Sequence, residues 1–290
     1  MSIEIEYGPG IQVEFKHWHF PGGECGILLN LGKINHNVAS FLIRWNYESD
    51  SEMMAIAQIV DAVRRDKYQN NAKLLLNLPY LPYARQDRVC SPGESHALKV
   101  FSTWLNSLKF DDVCVLDPHS YVAEALIENM SYWTQEEKFK EYLWLRKQSG
   151  FEGYHCLIAP DAGAAKKVEK CREVHAEVFG YTPEIRIATK VRKEGRVVVS
   201  LDVSGLTSKR ACVIDDICDG GATFISLAEC FNGSHPVEPE TLDLLVSHGI
   251  FSNEDNIKVL SGQYSGIKGF DHIYTHNLMN KKVSDYVTTF

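Results

Sequence analysis

A stretch of eleven residues decides the fold of this chain: Val213-Ile214-Asp215-Asp216-Ile217-Cys218-Asp219-Gly220-Gly221-Ala222-Thr223. It lies between a short apolar run, 211–214, and a helix-like segment, 224–230, so it predicts a strand, an acidic turn, a glycine loop and a helix. Glycines let main-chain N–H groups converge on a phosphate at a helix N-terminus, where the helix dipole also favours an anion. A phosphate would repel the aspartates, which instead suit sugar hydroxyls or a divalent cation. The stretch therefore predicts a site for a phosphorylated sugar; the alternative is a buried strand that ends in an ordinary Asp-Gly-Gly turn.

The composition is that of a soluble globular protein. The chain has 290 residues, of which 44% are apolar and 23% charged, enough for one large domain or two smaller ones. Lys and Arg total 30 against 38 Asp and Glu, a formal net charge of −8. This balance argues against a nucleic-acid partner, because affinity for nucleic acid depends on neutralising phosphates. A protein of this charge has to bind phosphates through local groups.

The same sequence predicts a cytoplasmic protein that has no membrane partner. Residues 1–7 alternate Ile with Glu, which is unlike the basic start and apolar stretch of a signal peptide. The apolar runs are far too short to span a bilayer. The eight cysteines include no C-x-x-C pair, so neither a zinc ribbon nor a thioredoxin-like motif is indicated. Several lie in apolar strands, and we expect buried thiols.

Strands and helices alternate through most of the chain, which predicts an α/β fold. A polar stretch, 131–150, separates two such series and could itself be helical. The pattern favours two α/β halves, 1–145 and 146–290, each with a mainly parallel sheet flanked by helices. The predicted helices are 51–68, 97–108, 164–179 and 224–230, and the predicted strands or extended segments are 11–15, 26–31, 39–44, 74–76, 113–116, 155–159, 183–188, 196–201, 210–214, 241–247 and 272–274.

Polar side chains follow further apolar runs where predicted strands end, and ligands of open α/β sheets bind beyond the carboxyl ends of strands. The run 74–78 leads to Arg85 and Gln86, a guanidinium that suits polyphosphate oxygens and an amide that could read a base edge. Two other runs lead to His119 and Asp161, which suit a divalent cation carrying phosphate oxygens.

Each of these stretches also has an ordinary structural explanation. A histidine at a strand end is often a hydrogen-bonded structural residue, and Pro160-Asp161-Ala162-Gly163 is a plausible turn. The charged run 190–196 is typical of a solvated hairpin loop. Their occurrence together at successive strand ends favours a site.

In combination these stretches resemble the ribose-phosphate pyrophosphokinase family, also called phosphoribosyl pyrophosphate synthetases. The resemblance extends from Phe20 to Asn277, and its most specific match is residues 83–88, which read Y-A-R-Q-D-R as in the family. The other matches, in the family's order, are 20–24 with F-x-D-G-E, 60–65 with the D-A-x-R-R helix, 117–119 with D-L-H, 160–164 with P-D-x-G-G, 190–192 with K-x-R on a mobile loop, 213–223 with V-D-D-x-x-D-T-G-G-T, and 247–252 with T-H-G-x-F-S.

The resemblance implies two phosphoribosyltransferase-like domains, with ATP on the N-terminal one and the sugar phosphate on the C-terminal one. It implies a homodimer or a larger homo-oligomer, in which one subunit reaches the adenine held by its neighbour. The implied roles are ATP binding by Arg85, Gln86 and Asp87, adenine contact by Phe20 and Glu24, Mg²⁺ binding by His119 and Asp161, ribose hydroxyl binding by Asp215 and Asp216, and 5-phosphate binding by Asp219, Gly220, Gly221, Ala222 and Thr223.

The implied reaction is attack of the anomeric hydroxyl of ribose 5-phosphate on the β-phosphorus of ATP, which expels AMP. Lys190 and Arg192 would close over the transferred group, and His119 would act beside them as a catalytic residue through its Mg²⁺. Charge accumulates on the diphosphate oxygens and on the leaving AMP oxygen, so the reaction needs Mg²⁺ and fixed cations more than a strong base.

Several positions depart from the family pattern. Gly22 replaces an aspartate in the adenine motif, and Pro118 replaces a leucine beside His119. Gly220 replaces a threonine whose hydroxyl would reach a terminal phosphate, and Ala222 is a second departure in the same loop. Because Gly220 removes a donor and opens space, the acceptor could be a substituted ribose 5-phosphate such as ADP-ribose, which would connect the chain to NAD metabolism.

Two other functions compete with this one. A phosphoribosyltransferase shares the fold and the acidic glycine loop, but it would not need residues 83–88 or 190–192. A non-catalytic regulatory homologue is the second alternative, and the retention of His119, Asp161 and Lys190 argues against it.

Overall fold

The chain forms two compact units, Met1–Trp133 and Thr134–Phe290, which we call unit 1 and unit 2. The structure is a computed structural model that describes residues 2–34, 36–193, 196–232, 237–262 and 269–290, without the side chains of residues 192, 193, 196 and 197. Within these ranges, no helix is both long enough and apolar enough to cross a membrane.

Unit 1 is built on a mixed sheet. Its strands are β1 (Ile3–Tyr7), β2 (Ile11–Gln12), β3 (Phe15–His19), β4 (Cys25–Leu29), β5 (Ser40–Trp45), β6 (Lys73–Leu78), β7 (Asp112–Leu116) and β8 (Met130–Trp133). The sheet order is β2-β1-β5-β6-β7-β8. Strands β5 to β8 run parallel, whereas β1 is antiparallel to both β2 and β5. Strands β3 and β4 form a separate antiparallel hairpin.

The core of unit 1 follows from the periodicity of its elements. Its helices are α1 (Ser51–Arg65), α2 (Ala97–Ser107) and α3 (Val122–Leu126). Ile56, Ile59 and Val63 recur at helical spacing on α1 and are fully buried, and Phe41 and Ile43 alternate on β5 and are equally buried. One apolar cluster therefore joins the helices to the sheet.

Unit 2 has a fully parallel sheet. Its strands are β9 (Cys156–Ala159), β10 (Glu184–Ile187), β11 (Thr189–Lys193), β12 (Arg196–Ser200), β13 (Arg210–Cys218), β14 (Thr241–Gly249), β15 (His272–Leu278) and β16 (Thr288–Thr289), and its helices are α4 (Gln135–Gln148), α5 (Ala165–Phe179), α6 (Ala222–Glu229) and α7 (Glu254–Leu260). The sheet order is β10-β9-β13-β14-β15-β16, and β11 and β12 form an antiparallel hairpin.

Helices cover both faces of this sheet, which explains the unbroken apolar runs of its strands. Ala211 and Val213 of β13 belong to the cluster that includes residues of α6 and α7. Cys212 and Ile214 belong to the cluster that includes residues of α4 and α5. The predicted α/β class, with mainly parallel sheets flanked by helices, is confirmed.

The structure differs from the sequence predictions at several elements, since α3, α7, β8 and β16 were not predicted. Three further differences concern the division of the chain and the strands β13 and β1. The division expected between residues 145 and 146 falls inside α4, because Phe139, Tyr142 and Leu143 of that helix pack in the core of unit 2. The acidic turn predicted after Ile214 is wrong, since β13 continues to Cys218 and pairs with β14 over that length. Strand β1, which the alternation of Ile and Glu in residues 3–7 could have indicated, was missed.

Candidate active site

The two aspartates of the deciding stretch, Asp215 and Asp216, lie in the second half of β13, toward the carboxyl end of the sheet of unit 2. Asp216 is buried, with 9% of its surface exposed, and its Oδ2 lies 3.8 Å from Nζ of Lys167. The main-chain N–H of Asp216 donates to Oδ1 of Asp215 at 2.9 Å. Burial, followed by the negative charge of Asp216, raises the pKa of Asp215 well above its usual range. A pair of crowded carboxylates is thus positioned to accept hydrogen bonds from neutral hydroxyls.

Two further residues at these carboxylates were missed by the sequence analysis. Gln135, at the start of α4, is almost fully buried, and its Nε2 donates to the main-chain carbonyl of Asp215 and to Ser247 Oγ, the latter at 3.2 Å. Lys167 stands in the first turn of α5, directly after the turn that carries Asp161. The position of Lys167 near a strand end could have indicated it from the sequence. Gln135 gave no such indication, because it is distant in sequence from the residues that it hydrogen-bonds.

The glycine turn follows the strand and begins α6. Ser252 Oγ donates to Asp219 Oδ1 at 2.6 Å, and Asn256 Nδ2 donates to the main-chain carbonyl of Gly220. Gly221 is the N-cap of α6 with φ +79°, and as a glycine it has no side chain that could cap that N-terminus. Because the first N–H groups of a helix need acceptors, this turn can receive an anion such as a phosphate.

The two glycines of this turn differ in the space around them. A Cβ added at Gly221 would lie 3.1 Å from Leu260 Cδ1 and 3.4 Å from Asn256 Cβ, on a backbone in the left-handed region. A Cβ added at Gly220 would meet only Ser252 Oγ, at 3.9 Å. Gly221 is therefore required by the conformation and the packing of the turn, whereas Gly220 leaves room that a side chain could fill.

Asp161 lies just after the end of β9, the strand next to β13 in the sheet. Its Oδ1 accepts main-chain N–H groups of Gly163 at 2.9 Å and of Ala164 at 3.2 Å, and its Oδ2 lies 3.6 Å from Nζ of Lys190. Lys190 is on β11, in the hairpin that follows β10. Arg192 lies on the same strand, but its side chain is outside the described part of the structure. The negative charge of Asp161 also contributes to the raised pKa of Asp215.

In unit 1, the loop after β6 carries the predicted ATP residues. Arg85 and Gln86 are exposed, and the N–H of Gln86 donates to the carbonyl of Tyr83 at 2.8 Å. Asp87, by contrast, is buried, and both of its oxygens accept from the Arg88 guanidinium, at 2.7 and 2.9 Å. This pairing with Arg88 lowers the pKa of Asp87 to about 2. Asp87 is thus engaged by its neighbour, and its contact with ATP stays a prediction.

His119 lies in the neighbouring loop, after β7, with its side chain exposed. The loop is fixed by main-chain hydrogen bonds, from Leu116 N–H to the carbonyl of Pro79 at 3.0 Å and from Asp117 N–H to that of Trp133 at 2.7 Å. Asp117 has φ +36°, an uncommon conformation for a residue other than glycine. His119 is close enough to Asp87 for its charge to contribute to the low pKa of that carboxyl, after the larger effect of Arg88.

The hairpin β3–β4 carries the residues predicted to reach a neighbouring adenine. Its turn is closed by hydrogen bonds from Phe20 N–H to the carbonyl of Glu24 at 2.8 Å and from Gly23 N–H to that of Phe20 at 2.9 Å. The Phe20 side chain is half exposed and packs edge-on against Trp18. A Cβ at Gly22 would lie 2.7 Å from Glu24 Oε2, so the family's aspartate would need this carboxylate to move.

The chemistry of the donors suits Mg²⁺ only if substrate phosphates complete its ligand set. Among the described residues, no three His, Cys, Asp or Glu side chains converge to hold a metal ion by themselves. Mg²⁺ is usually held by one or two carboxylates together with phosphate oxygens and water. Carboxylates that repel each other, as Asp161 and Asp215 do, favour such a cation. Mg²⁺ binding by His119 and Asp161 remains a prediction.

A cavity of about 410 Å³ lies at the opposite edge of the sheet of unit 2, beside the amino ends of β9, β10 and β13. Arg186 and Lys209 are among its lining residues, and Arg186 is already paired with Glu184 at 3.1 Å and with the carbonyl of Asp202 at 2.6 Å. The predicted site residues do not line this cavity.

Comparison with known proteins agrees with this arrangement. No family model matches the chain. The chain is 26% identical to a ribose-phosphate pyrophosphokinase of Pyrococcus furiosus over 282 residues, which cover 96% of this chain and 90% of the relative. It is 28% identical to the enzyme of that name from Pyrococcus abyssi, with 85% and 79% covered. Its fold is similar to the crystal structure of phosphoribosylpyrophosphate synthetase from Mycobacterium smegmatis, with a TM-score of 0.72, 16% identity, and 96% of this chain and 86% of that chain covered.

The relatives of this name and the shared fold indicate a transferase built on two α/β units, each with a mainly parallel sheet flanked by helices. The chain is similar to ribose-phosphate pyrophosphokinases over most of its length, at 26% to 28% sequence identity.

Proposed function

We propose that the protein transfers the β,γ-diphosphate of ATP to the anomeric hydroxyl of ribose 5-phosphate or of a substituted ribose 5-phosphate, with release of AMP. The observation that carries the proposal is the arrangement at the carboxyl end of the sheet of unit 2. Two carboxylates, a glycine turn at the start of α6 and Lys190 lie there on adjacent strands and loops. These are the groups that a sugar, its phosphate and a transferred diphosphate need.

The acceptor would be held by the deciding stretch. The 5-phosphate would bind the N–H groups at the start of α6, where the helix dipole favours an anion. Asp215 and Asp216 would accept hydrogen bonds from the ribose hydroxyls, because an ionised carboxylate has acceptors only. This binding would leave the anomeric hydroxyl exposed to the diphosphate donor.

The donor would be ATP, bound through residues of unit 1. Arg85 offers a guanidinium to phosphate oxygens, and Gln86 offers an amide to the base, both from exposed positions. The anomeric oxygen forms a bond to the β-phosphorus, the bond from that phosphorus to the oxygen bridging it to the α-phosphorus breaks, and AMP leaves with the bridging oxygen. Mg²⁺, when bound, neutralises the phosphate oxygens.

Lys190 would stabilise the charge that develops on the transferred diphosphate. In the protein without substrate its ammonium is 3.6 Å from Asp161 Oδ2, at the strand end where the reaction is proposed. An ion pair with roughly a third of each side chain exposed is weak and exchangeable, so Lys190 can turn to a more highly charged partner. Arg192 is proposed to act with it, as the family resemblance implies.

A substituted acceptor is a second candidate, and the surroundings of Gly220 favour it. A Cβ added at Gly220 would meet only Ser252 Oγ, at 3.9 Å. A glycine also offers no hydroxyl to a terminal phosphate. An acceptor such as ADP-ribose has a 5-phosphate of lower charge and a substituent that needs room beyond it. Such a molecule would use the space that a threonine would occupy.

An acceptor screen tests both candidates. AMP formation from ATP and Mg²⁺ is measured with ribose 5-phosphate, with ADP-ribose and without acceptor, the last correcting for hydrolysis. The proposal expects AMP in equal amount to the consumed acceptor. Equal or better turnover with ribose 5-phosphate would remove the case for ADP-ribose. The variant Gly220→Thr is expected to shift the ratio of kcat/KM toward ribose 5-phosphate by about tenfold, because a restored hydroxyl can hydrogen-bond a terminal phosphate.

The same screen separates the alternatives. A phosphoribosyltransferase would form no AMP from ATP and a sugar phosphate. A non-catalytic homologue would form none under any condition. A homodimer or larger homo-oligomer is proposed with the function, because Phe20 and Glu24 are expected to serve a neighbouring subunit.

A further inference from the structure

The backbone of Tyr83, the first residue of the loop 83–88, has an uncommon conformation. Its φ is +64°, which side chains larger than glycine rarely adopt. The next turn depends on it, because the N–H of Gln86 donates to the Tyr83 carbonyl at 2.8 Å. The directions of Arg85 and Gln86 are therefore coupled to the conformation of Tyr83.

Two contacts hold Tyr83 in this conformation. Its ring packs against Phe101 of α2, with ring centroids 5.7 Å apart. Its hydroxyl donates to Oδ1 of Asp50, the residue immediately before α1. This hydrogen bond is the main reason that the pKa of Asp50 is lowered and that of Tyr83 is raised. Helix α1 is anchored by its buried face, so Asp50 is a fixed point for the loop.

A second tyrosine shares this acceptor without belonging to the loop. The hydroxyl of Tyr47 donates to the same Oδ1 of Asp50 at 2.7 Å. Tyr47 lies between β5 and α1, and its ring packs on Trp45. The chain thus contains two tyrosine–carboxylate hydrogen bonds with one acceptor. The two hydroxyls also interact with each other, but only the Tyr83 hydroxyl belongs to the loop.

We propose that Asp50 and Tyr83 form a positioning pair that sets the direction of Arg85 and Gln86 for ATP. The inference rests on the proposed function, in which these two side chains bind ATP. Neither Asp50 nor the Tyr83 hydroxyl needs to touch the nucleotide. The pair acts by keeping the loop in its bound conformation before ATP arrives, which lowers the cost of ordering it on binding.

Steady-state kinetics of four variants test the pair. We expect Tyr83→Phe and Asp50→Ala each to raise KM for ATP about three- to tenfold, the loss of one hydrogen bond to a carboxylate, with kcat within about twofold. The double variant should be no worse than about the larger single effect, because both changes remove the same bond. Tyr47→Phe is the matched control and should leave KM for ATP within about twofold of the unsubstituted protein.

Amide hydrogen exchange in the absence of nucleotide gives a readout that does not depend on ATP. Exchange of the Gln86 N–H should become faster in Tyr83→Phe and in Asp50→Ala but not in Tyr47→Phe. Tyr83→Phe removes the hydrogen bond to Asp50 but keeps the ring packed on Phe101, and Asp50→Ala removes the same bond by deleting its acceptor. If one of these variants fails to fold, the other can still be measured.

The outcomes separate this inference from the proposed function. Unchanged exchange at Gln86, or an equal effect of Tyr47→Phe, overturns the positioning pair. Faster exchange with an unchanged KM for ATP also overturns it. If the unsubstituted protein neither binds nor uses ATP, the proposed function fails, which is a different result from any of these.

Discussion

The two loops at the centre of this account are built by different means. In unit 1, the loop 83–88 is held by side chains, through Tyr83 with Asp50 and Arg88 with Asp87. In unit 2, the loop 219–223 depends on the left-handed backbone of Gly221. The side chains of Ser252 and Asn256 support it through hydrogen bonds to Asp219 and to the carbonyl of Gly220. A loop that binds a ligand through its side chains needs neighbouring side chains to fix the orientation of the binding ones. A loop that offers main-chain N–H groups needs the right backbone conformation instead.

This difference predicts where each unit is vulnerable. Removal of a polar side chain such as Asp50 should weaken the loop of unit 1. A Cβ added at Gly221 should weaken the loop of unit 2. Charged side chains that act on the reacting phosphates should matter more than either loop, because charge develops on those phosphates during the reaction.

The largest effect is expected at Lys190. The variant Lys190→Ala should lower kcat about 100- to 1,000-fold, as for other groups that stabilise charge in a transition state, with a smaller change in KM. AMP release is the measurement. Lys140→Ala is a matched control, since Lys140 also pairs with a carboxylate, that of Glu177, at 2.7 Å, and we expect it to be silent. Unchanged turnover in Lys190→Ala would contradict the catalytic assignment of Lys190.

The two adjacent glycines give the next largest effect. Gly221→Ala should lower the free energy of unfolding by roughly 1–3 kcal/mol, because φ is +79° and the added Cβ would crowd Leu260. Gly220→Ala should change it by less than about 0.5 kcal/mol, because its Cβ would meet only Ser252 Oγ. Denaturant unfolding of both variants checks this. Equal destabilisation would show that the loop of unit 2 does not depend on the conformation of Gly221.

The smallest effect concerns the buried carboxylate of the unit 1 loop. The folded pKa of Asp87 is about 2, below its value near 4 in an unfolded chain, so its contribution to stability is complete above about pH 4 and is lost as the pH falls toward 2. Asp87→Asn should lack this part of the fall in the free energy of unfolding at acid pH. The difference from the unsubstituted protein should be on the order of 1 kcal/mol, because Arg88 is largely exposed.

Unfolding measured between pH 4 and pH 2 would show this difference, about a tenfold change in the folding equilibrium constant. Asp61→Asn is the control, because the Asp61 carboxylate pairs with Arg65 at the same 2.7 Å but is 60% exposed. An equal change in both variants would mean that the burial of Asp87 adds nothing to its pairing.

Much of the fold could be predicted because its signals are local. The helical spacing of Ile56, Val60 and Val63 predicted α1, and the apolar run that ends at Ala159 predicted β9. The end of β13 could not be predicted, since Asp215 and Asp216 are typical of a turn, and only pairing with β14 keeps them in the strand. Strand order and the position of α4 likewise depend on contacts between distant residues.

The site was predictable to the extent that its residues follow strands. Asp161 and Asp215 stand at the ends of apolar runs, where ligands of such sheets bind. The residues that hold them carry no such signal. Gln135 is 80 positions before the carbonyl that it hydrogen-bonds, and Tyr83 meets a carboxylate 33 positions earlier. Contacts of this range are set by the folded chain.

The central claim is that an intact diphosphate moves from ATP to the anomeric oxygen of a ribose 5-phosphate unit. The most direct measurement uses ATP labelled at the γ-phosphate, with the products followed by ³¹P NMR and by the label. The account predicts AMP and a sugar 1-diphosphate that carries the label, in equal amounts. Formation of ADP with a singly phosphorylated sugar, or label recovered only as inorganic phosphate, would contradict it.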